Sequence, residues 1–274
     1  MKMVALYDIH GNLPALDAVL KEVEQEHPDL ILVGGDIVPG PMPRAALERL
    51  LALGDTIQYI RGNCEREVVA AFDGLPPRPD MSEEVSGRMR WTAKQLERSQ
   101  RDFLAQLPEQ ASFSVDGLGE VLFCHGSPRS DEEMITAVTP DERLRAMLVG
   151  IRQRVVVCGH THMQFDRTVD GMRIVNAGSV GMPYGEAGAY WLLLGPEIML
   201  RHTHYDLEDA EHVSGRAAIH RRRISPRTTC SSRRRKPRLS RCSSAWPSSA
   251  HRSLNRATLR QTTWIHSSQS LDNP

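Results

Sequence analysis

No stretch of this 274-residue chain is apolar for long enough to cross a membrane. The apolar runs at 121–124 and 191–194 are strand-sized, far below the roughly 18 residues that a span requires. No export signal is expected either, because Lys2 is followed at once by a short strand pattern rather than by an apolar leader and small-residue cleavage site. Cysteines are few and odd in number, five in all, so there is no disulfide framework. Cys124 and Cys158 each close an apolar run and read as small core residues. The expected compartment is a reducing cytoplasm.

Net charge is absent only in sum. From 213 to 274 there are fourteen Lys or Arg and a single acidic residue, Asp272, which leaves 20 basic and 33 acidic residues before them. An acidic part of about −13 is therefore joined to a basic part of about +13. The basic stretch lacks glutamate, Phe and Met, has thirteen serines, and has only eight Val, Ile or Leu. Too little apolar surface remains there to offset the entropy of ordering a chain. The expected organisation is a domain at 1–211 and a disordered Arg/Ser-rich tail at 212–274. Arg221, Arg222 and Arg223, with 233–236, would suit nucleic-acid phosphates electrostatically. The composition favours another origin. Thirty Arg against four Lys point to a GC-rich gene, and such genes read out of frame give Arg-, Ser- and Pro-rich peptide.

What is present before 211 is an ordered alternation. Apolar runs at 4–7, 30–33 and 57–60 predict strands. Leu13, Leu16, Val19, Leu20 and Val23 follow the first at helical spacing, and Leu47, Leu50 and Leu51 mark a second helix. This βαβαβ order predicts parallel strands with helical crossovers. A longer helical region follows at 81–107. Short strands come next, at 112–115, 120–124, 154–158, 164–169, 172–175, 189–194 and 197–204. One helix interrupts them, signalled by a capping-box spacing from Thr139 to Glu142. The pattern predicts an α/β fold of two sheets packed face to face with helices outside.

Five of the apolar runs lead, at once or through one or two residues, to residues able to bind metal. Asp8 and His10 follow the first, Asp36 the second, Asn63 the third, His125 the run at 121–124, and His160 and His162 the run at 155–158. Ligands collect in the crevice outside the carboxyl ends of such strands. The i, i+2 pairs Asp8/His10 and His160/His162 would each point to one side of an extended chain. Gly34, Gly35, Gly62, Gly126 and Gly159 would let the backbone turn beside the site. Imidazole with carboxylate and amide oxygen suits Mn, Fe, Co, Ni or Zn better than Mg.

The ordered blocks Asp8-Ile9-His10-Gly11-Asn12, Gly35-Asp36, Gly62-Asn63, His125-Gly126 and Gly159-His160-Thr161-His162 resemble the signature of calcineurin-like metallophosphoesterases. The resemblance implies a four-layer α/β/β/α sandwich of two mixed sheets. It implies one divalent ion on Asp8, His10, Asp36 and His162, and a second on Asp36, Asn63, His125 and His160, with Asp36 as the bridge. Manganese is the first expectation for both. A hydroxide shared by the two ions would attack phosphorus in line, so the expected substrate is a phosphate ester. The chain departs from the pattern at Tyr7, where a small residue is usual, and at Cys64, where a histidine usually serves as general acid or phosphate contact. The cysteine form resembles a bacterial and archaeal branch of phosphodiesterases, so diesters are expected ahead of monoesters. Two other readings are a phosphomonoesterase or protein phosphatase, disfavoured by Cys64, and a silent scaffold of the same fold, disfavoured by the full ligand set.

Single residues carry blander readings. Asn12 stands before the first helix, where it could cap the helix or contact substrate. Cys64 reads first as a small filler beside the metals and second as a substrate contact. Arg129 could meet phosphate, although a solvated loop arginine is the default.

Overall fold

The computed structural model of the chain describes residues 1–208 and Ala210. The boundary expected at Glu211, and the tail at 212–274 with both of its readings, lie outside the described residues. No helix among the described residues is long and apolar enough to cross a membrane.

The N-terminal half follows the alternation read from the sequence. Strand β1 (Met3–Leu6) leads to helix α1 (Leu13–Glu26), β2 (Leu30–Val33), α2 (Pro43–Leu51) and β3 (Ile57–Tyr59). β1 pairs parallel with β2, and β2 with β3. Asn12 caps α1 by accepting the Ala15 N–H at 3.2 Å. The α1 stripe Leu16, Val19, Leu20 and Val23 is buried against the sheet.

Three more helices follow: α3 (Asn63–Phe72), α4 (Glu83–Ala93) and α5 (Arg98–Ala105). The single helical region expected at 81–107 is thus two helices, parted where Glu97 starts a new N-terminus with its N–H on Gln100. Apolar periodicity does not reveal α3, because its buried face carries Glu65 and Glu67 beside Cys64 and Val68.

The second half contains β4 (Gln110–Val115), β5 (Gly119–Cys124), α6 (Asp141–Met147), β6 (Val155–Cys158), β7 (Phe165–Val169), β8 (Met172–Asn176), β9 (Ala189–Leu194) and β10 (Ile198–Thr203). The capping box expected at α6 does not form. Pro140 occupies the cap position, and the Thr139 hydroxyl turns back to accept the Thr136 N–H.

The strands make two mixed sheets, ordered β10-β9-β1-β2-β3 and β4-β5-β6-β8-β7. Strand alternation sorts their side chains into three apolar layers. Met3, Ala5 and Tyr7 face Phe123, Val157 and Val175 between the sheets. Val4 and Leu6 pack outward with α1 and α2. Leu122, Cys124, Val156 and Cys158 pack outward with Leu144 and Met147 of α6. This is the four-layer α/β/β/α sandwich that the motifs implied. The parallel sets β1-β2-β3 and β5-β6-β8 each run to a common end.

Candidate metal centre

The backbone leaves the strands at that end in an unusual way. Among the described residues, seven non-glycine residues have positive φ, and five of them are Asp8, His10, Asp36, His160 and His162. Asp and His tolerate the left-handed region better than most residues, yet each still costs on the order of 1–2 kcal/mol. Hydrogen bonds between distant segments hold the conformation. Asp8 N–H donates to Gly35 at 3.1 Å, His10 N–H to Asp36 at 2.9 Å and Gly11 N–H to Ile37 at 2.7 Å. Ser179 Oγ donates to the Asp8 carbonyl at 2.7 Å. Strain concentrated at one place and fixed from several sides is characteristic of a functional site.

This geometry corrects two expectations. The i, i+2 pairs are not extended. His162 lies with Asp8 and His10, whereas His160 lies with Asp36 and His125, so the two histidines serve different groups. Of the five glycines expected to supply turns, only Gly35 has positive φ, at 94°. The others are required by close approach: a Cβ on Gly34 or Gly159 would run into the Tyr7 ring, on Gly62 into Asp36, and on Gly126 into the Ser130 and Glu133 carbonyls. Tyr7 thereby explains itself as packing, its ring seated over two bare backbones and its hydroxyl donating to Val157 at 3.3 Å.

All seven residues singled out from the sequence gather here. Donor atoms of Asp8, His10 and His162 lie within 4.8 Å of one another, as do those of Asp36, His125 and His160, and those of His10, Asp36 and Cys64. Asp36 stands between the groups, with Oδ2 3.8 Å from His10 Nε2 and Oδ1 3.5 Å from His125 Nε2. Asn63 Oδ1 reaches His125 Nε2 at 3.1 Å.

Three observations show that these residues fit divalent cations. Asp8 Oδ1 is buried without a hydrogen bond, and His162, His10 and His125 direct Nε2 toward it from 3.4, 3.9 and 3.9 Å, a spacing that leaves room for a cation to satisfy its charge. His10, His125 and His162 each direct Nδ1 at a backbone carbonyl, of Pro39, Gly34 and Met182, at 3.2, 2.8 and 2.7 Å. That leaves Nε2 as the inward atom, the orienting arrangement typical of ligating imidazole. His10 Nε2 and His162 Nε2 face each other at 3.1 Å.

The electrostatics agree. Burial, followed by His162, pushes His10 down to about 4, so its imidazole is neutral near neutrality. For His125 burial acts downward, but the Asp36 and Asp8 carboxylates outweigh it and raise the group to about 10. A proton there does in part what a cation would do.

Other side chains prove to be support. Asn12 spends its oxygen on the Ala15 N–H, as a cap, and its amide NH₂ on Gly181 and Tyr205 at 2.9 and 3.2 Å. Arg129 lines a small cavity with His125, and its guanidinium is engaged by Glu133 and the Ala146 carbonyl. Cys64 donates its S–H to Asp36 Oδ2 at 3.0 Å. Sequence reasoning assigned no role to Asn176 or Glu65. Asn176 holds the His160 loop by donating to Gly159 at 2.7 Å and Thr161 Oγ1 at 3.0 Å; the conspicuous Asn-Ala-Gly-Ser block is its only sequence signal. Glu65 is wholly buried, and burial and then Asp36 push it up to about 7 against three backbone donors.

Burial raises all three described cysteines, with Asp36 adding to the effect at Cys64 and Cys158 reaching about 12. Thiolate is the reactive form. Iodoacetamide at about pH 8 should therefore leave Cys64, Cys124 and Cys158 unmodified in the folded protein and alkylate them in urea, as read by peptide mass mapping. Rapid labelling of folded Cys64 would show an ionised, accessible thiol.

Known proteins place this geometry in a family. The profile of the calcineurin-like phosphoesterase superfamily domain matches residues 1–195. The chain belongs to that superfamily. More particularly, it is 32% identical over 77 residues to phosphodiesterase YfcE of Escherichia coli K12, a match spanning 25% of this chain and 42% of the length of that relative. The fold is shared with a hypothetical protein of Pyrococcus horikoshii OT3 (TM-score 0.68, 21% identity, covering 80% of this chain and 93% of that one). It is also shared with a metallophosphoesterase of Sphaerobacter thermophilus (TM-score 0.61, 24% identity, covering 80% and 94%).

Proposed function

We propose that this chain hydrolyses phosphodiesters with two divalent ions. One would be held by Asp8, His10, Asp36 and His162, and the other by Asp36, Asn63, His125 and His160. The observation that carries this reading is Asp36, buried and within 4 Å of a histidine Nε2 of each group through its two separate oxygens. Mixed nitrogen and oxygen donors favour manganese or another transition ion, Fe, Co, Ni or Zn. Such a pair supplies Lewis acidity at phosphoryl oxygens and a nucleophile from water at neutral pH. The chain itself supplies orientation: backbone carbonyls fix the imidazoles, Asn176 fixes the His160 loop, and the Cys64 N–H and S–H fix Asp36.

Position 64 argues for diesters. A monoester carries more negative charge on its terminal oxygens, and an imidazolium at this point could stabilise that charge or protonate a poor leaving group. The Cys64 thiol is a weak donor, and its hydrogen is already given to Asp36. The test is kcat/KM for a matched nitrophenyl diester and monoester with Mn²⁺ loaded. Wild type should favour the diester, and Cys64→Ala, which keeps the backbone N–H bond to Asp36 Oδ1 and loses only the weak thiol bond to Oδ2, should keep that activity within a few-fold. Cys64→His should raise monoester turnover more than diester turnover, toward the roughly 10²-fold that general acid catalysis supplies at the least. Preference of the wild type for the monoester would overturn the diester reading. Collapse of diester turnover in Cys64→Ala with metal still bound would make Cys64 catalytic.

A further inference from the structure

Glu65 is a buried carboxylate that the proposed chemistry does not use. It lies on the first turn of α3 with none of its surface exposed. Both oxygens are accounted for by backbone. Oε2 accepts the Asp36 N–H at 2.7 Å and the Gly62 N–H at 2.9 Å, and Oε1 accepts the Ile37 N–H at 2.7 Å. Three backbone N–H groups on two oxygens tie both ends of the carboxyl to main chain, and bonds of 2.7 Å lie at the short end of the N–H···O range.

The placement of those donors is informative. Gly35 and Asp36 are both left-handed, at φ 94° and 53°. The consecutive N–H groups of Asp36 and Ile37, with that of Gly62, converge on one acceptor, and Glu65 of the same chain is that acceptor. In return, α3 holds the Asp36 side chain, since the Cys64 N–H donates to Asp36 Oδ1 at 2.9 Å and the Cys64 thiol to Oδ2 at 3.0 Å. The two loops are cross-clasped. Glu65 grips the main chain of Asp36, and the residue next to Glu65 grips the carboxylate.

We propose that Glu65 is a positioning residue that holds Asp36 in its left-handed conformation and so sets the affinity of both ions together. This rests on the two-metal reading above. The physical basis is that Asp36 approaches the two histidine groups with separate oxygens, Oδ2 toward His10 and Oδ1 toward His125, whereas Asp8 approaches both with Oδ1 alone. A shift of its backbone moves a donor away from both positions at once, whereas a shift of His162 or His160 affects one. Residues that orient a ligand typically contribute about 10–100-fold to metal affinity or activity.

The test uses the full chain, stripped with chelator and titrated with Mn²⁺ by calorimetry, with the exchange-coupled Mn²⁺ pair followed by electron paramagnetic resonance. Glu65→Gln replaces one acceptor by a donor that faces an N–H. It should weaken both ions by about tenfold or more, convert the coupled signal to isolated Mn²⁺, and lower kcat with KM nearly unchanged. Glu67→Gln is the control for a buried carboxylate on the same helix. Its partners are Arg66 and Arg78, so it should lower the melting temperature without changing Mn²⁺ affinity. If Glu65→Gln does not fold, Glu65→Asp decides. That variant keeps two acceptor oxygens but shortens the reach, so both ions should again weaken together. Two Mn²⁺ bound at wild-type affinity in a folded Glu65 variant, or loss confined to one ion, would overturn the proposal alone. A wild type that binds no Mn²⁺ would overturn the two-metal reading, and this inference with it.

Discussion

Asp36→Asn should abolish turnover and reduce bound Mn²⁺ while leaving the fold intact. The amide retains an oxygen to accept the Cys64 N–H, which Asp36 Oδ1 now accepts at 2.9 Å, so the loop keeps its anchor. What disappears is the charge and the second oxygen, the atom 3.8 Å from His10 Nε2. Losing several kcal/mol of charge stabilisation corresponds to about a thousandfold or more in rate. Circular dichroism and metal-free melting should match wild type, and metal analysis should show fewer ions per chain. Chelated wild type should be inactive until Mn²⁺ is returned. Full diesterase activity in Asp36→Asn, or in chelated wild type, would mean that catalysis does not run through this carboxylate.

Gly62→Ala should damage stability and metal binding together, and for a steric reason only. At φ −92° and ψ 176° the backbone of Gly62 suits alanine. The added Cβ would strike the Asp36 carboxylate, lie 2.6 Å from its amide nitrogen and 3.0 Å from the His125 ring. The amide is pinned by Glu65 and the ring by Gly34, so neither can retreat. Overpacking of this kind costs about 3 kcal/mol, and the displaced groups are those proposed to hold the ions. Gly171→Ala provides the contrast. Its φ is 79° with nothing within 4 Å of a new Cβ, so it should cost only about 1–2 kcal/mol of backbone strain and leave Mn²⁺ affinity unchanged. Urea melts with and without Mn²⁺ separate the two. Equal behaviour of the two variants would show that the site tolerates a wider gap between its loops than the structure describes.

Much of this architecture is legible in the residues themselves. The run 4–7 is apolar at every position because β1 is covered on both faces, by Tyr7's neighbours between the sheets and by α1 outside. Such runs, alternating with helical stripes, specify parallel strands, and parallel strands bring their following residues to one end. Asp8, Asp36 and Asn63 are therefore neighbours by connectivity, and the same holds for His125 and the His160 block on the other sheet. Helix α3 escaped that logic. Its inward face is acidic, and an apolar pattern cannot report a helix that buries Glu65 and Glu67.

The sequence by itself thus determined the layers, the order of the strands that matter and the identity of the residues delivered to their ends. These follow from hydrophobic periodicity and short connections, which are local properties of the chain. The motif order already implied how the delivered residues divide, with His162 beside Asp8 and His10, His160 beside His125, and Asp36 between them, and the structure places them so. The tertiary structure alone decided what holds them: the partners of the imidazoles and of Asn12, and the grip of Glu65 on the Asp36 loop. The left-handed backbone of Asp8, His10, Asp36, His160 and His162 is intrinsically unfavourable and has no local signature. It persists because hydrogen bonds to segments far along the chain, from the Asp8 N–H to Gly35, the Asp36 N–H to Glu65 and the His160 N–H to Asp8, outweigh its cost once the sheets have packed.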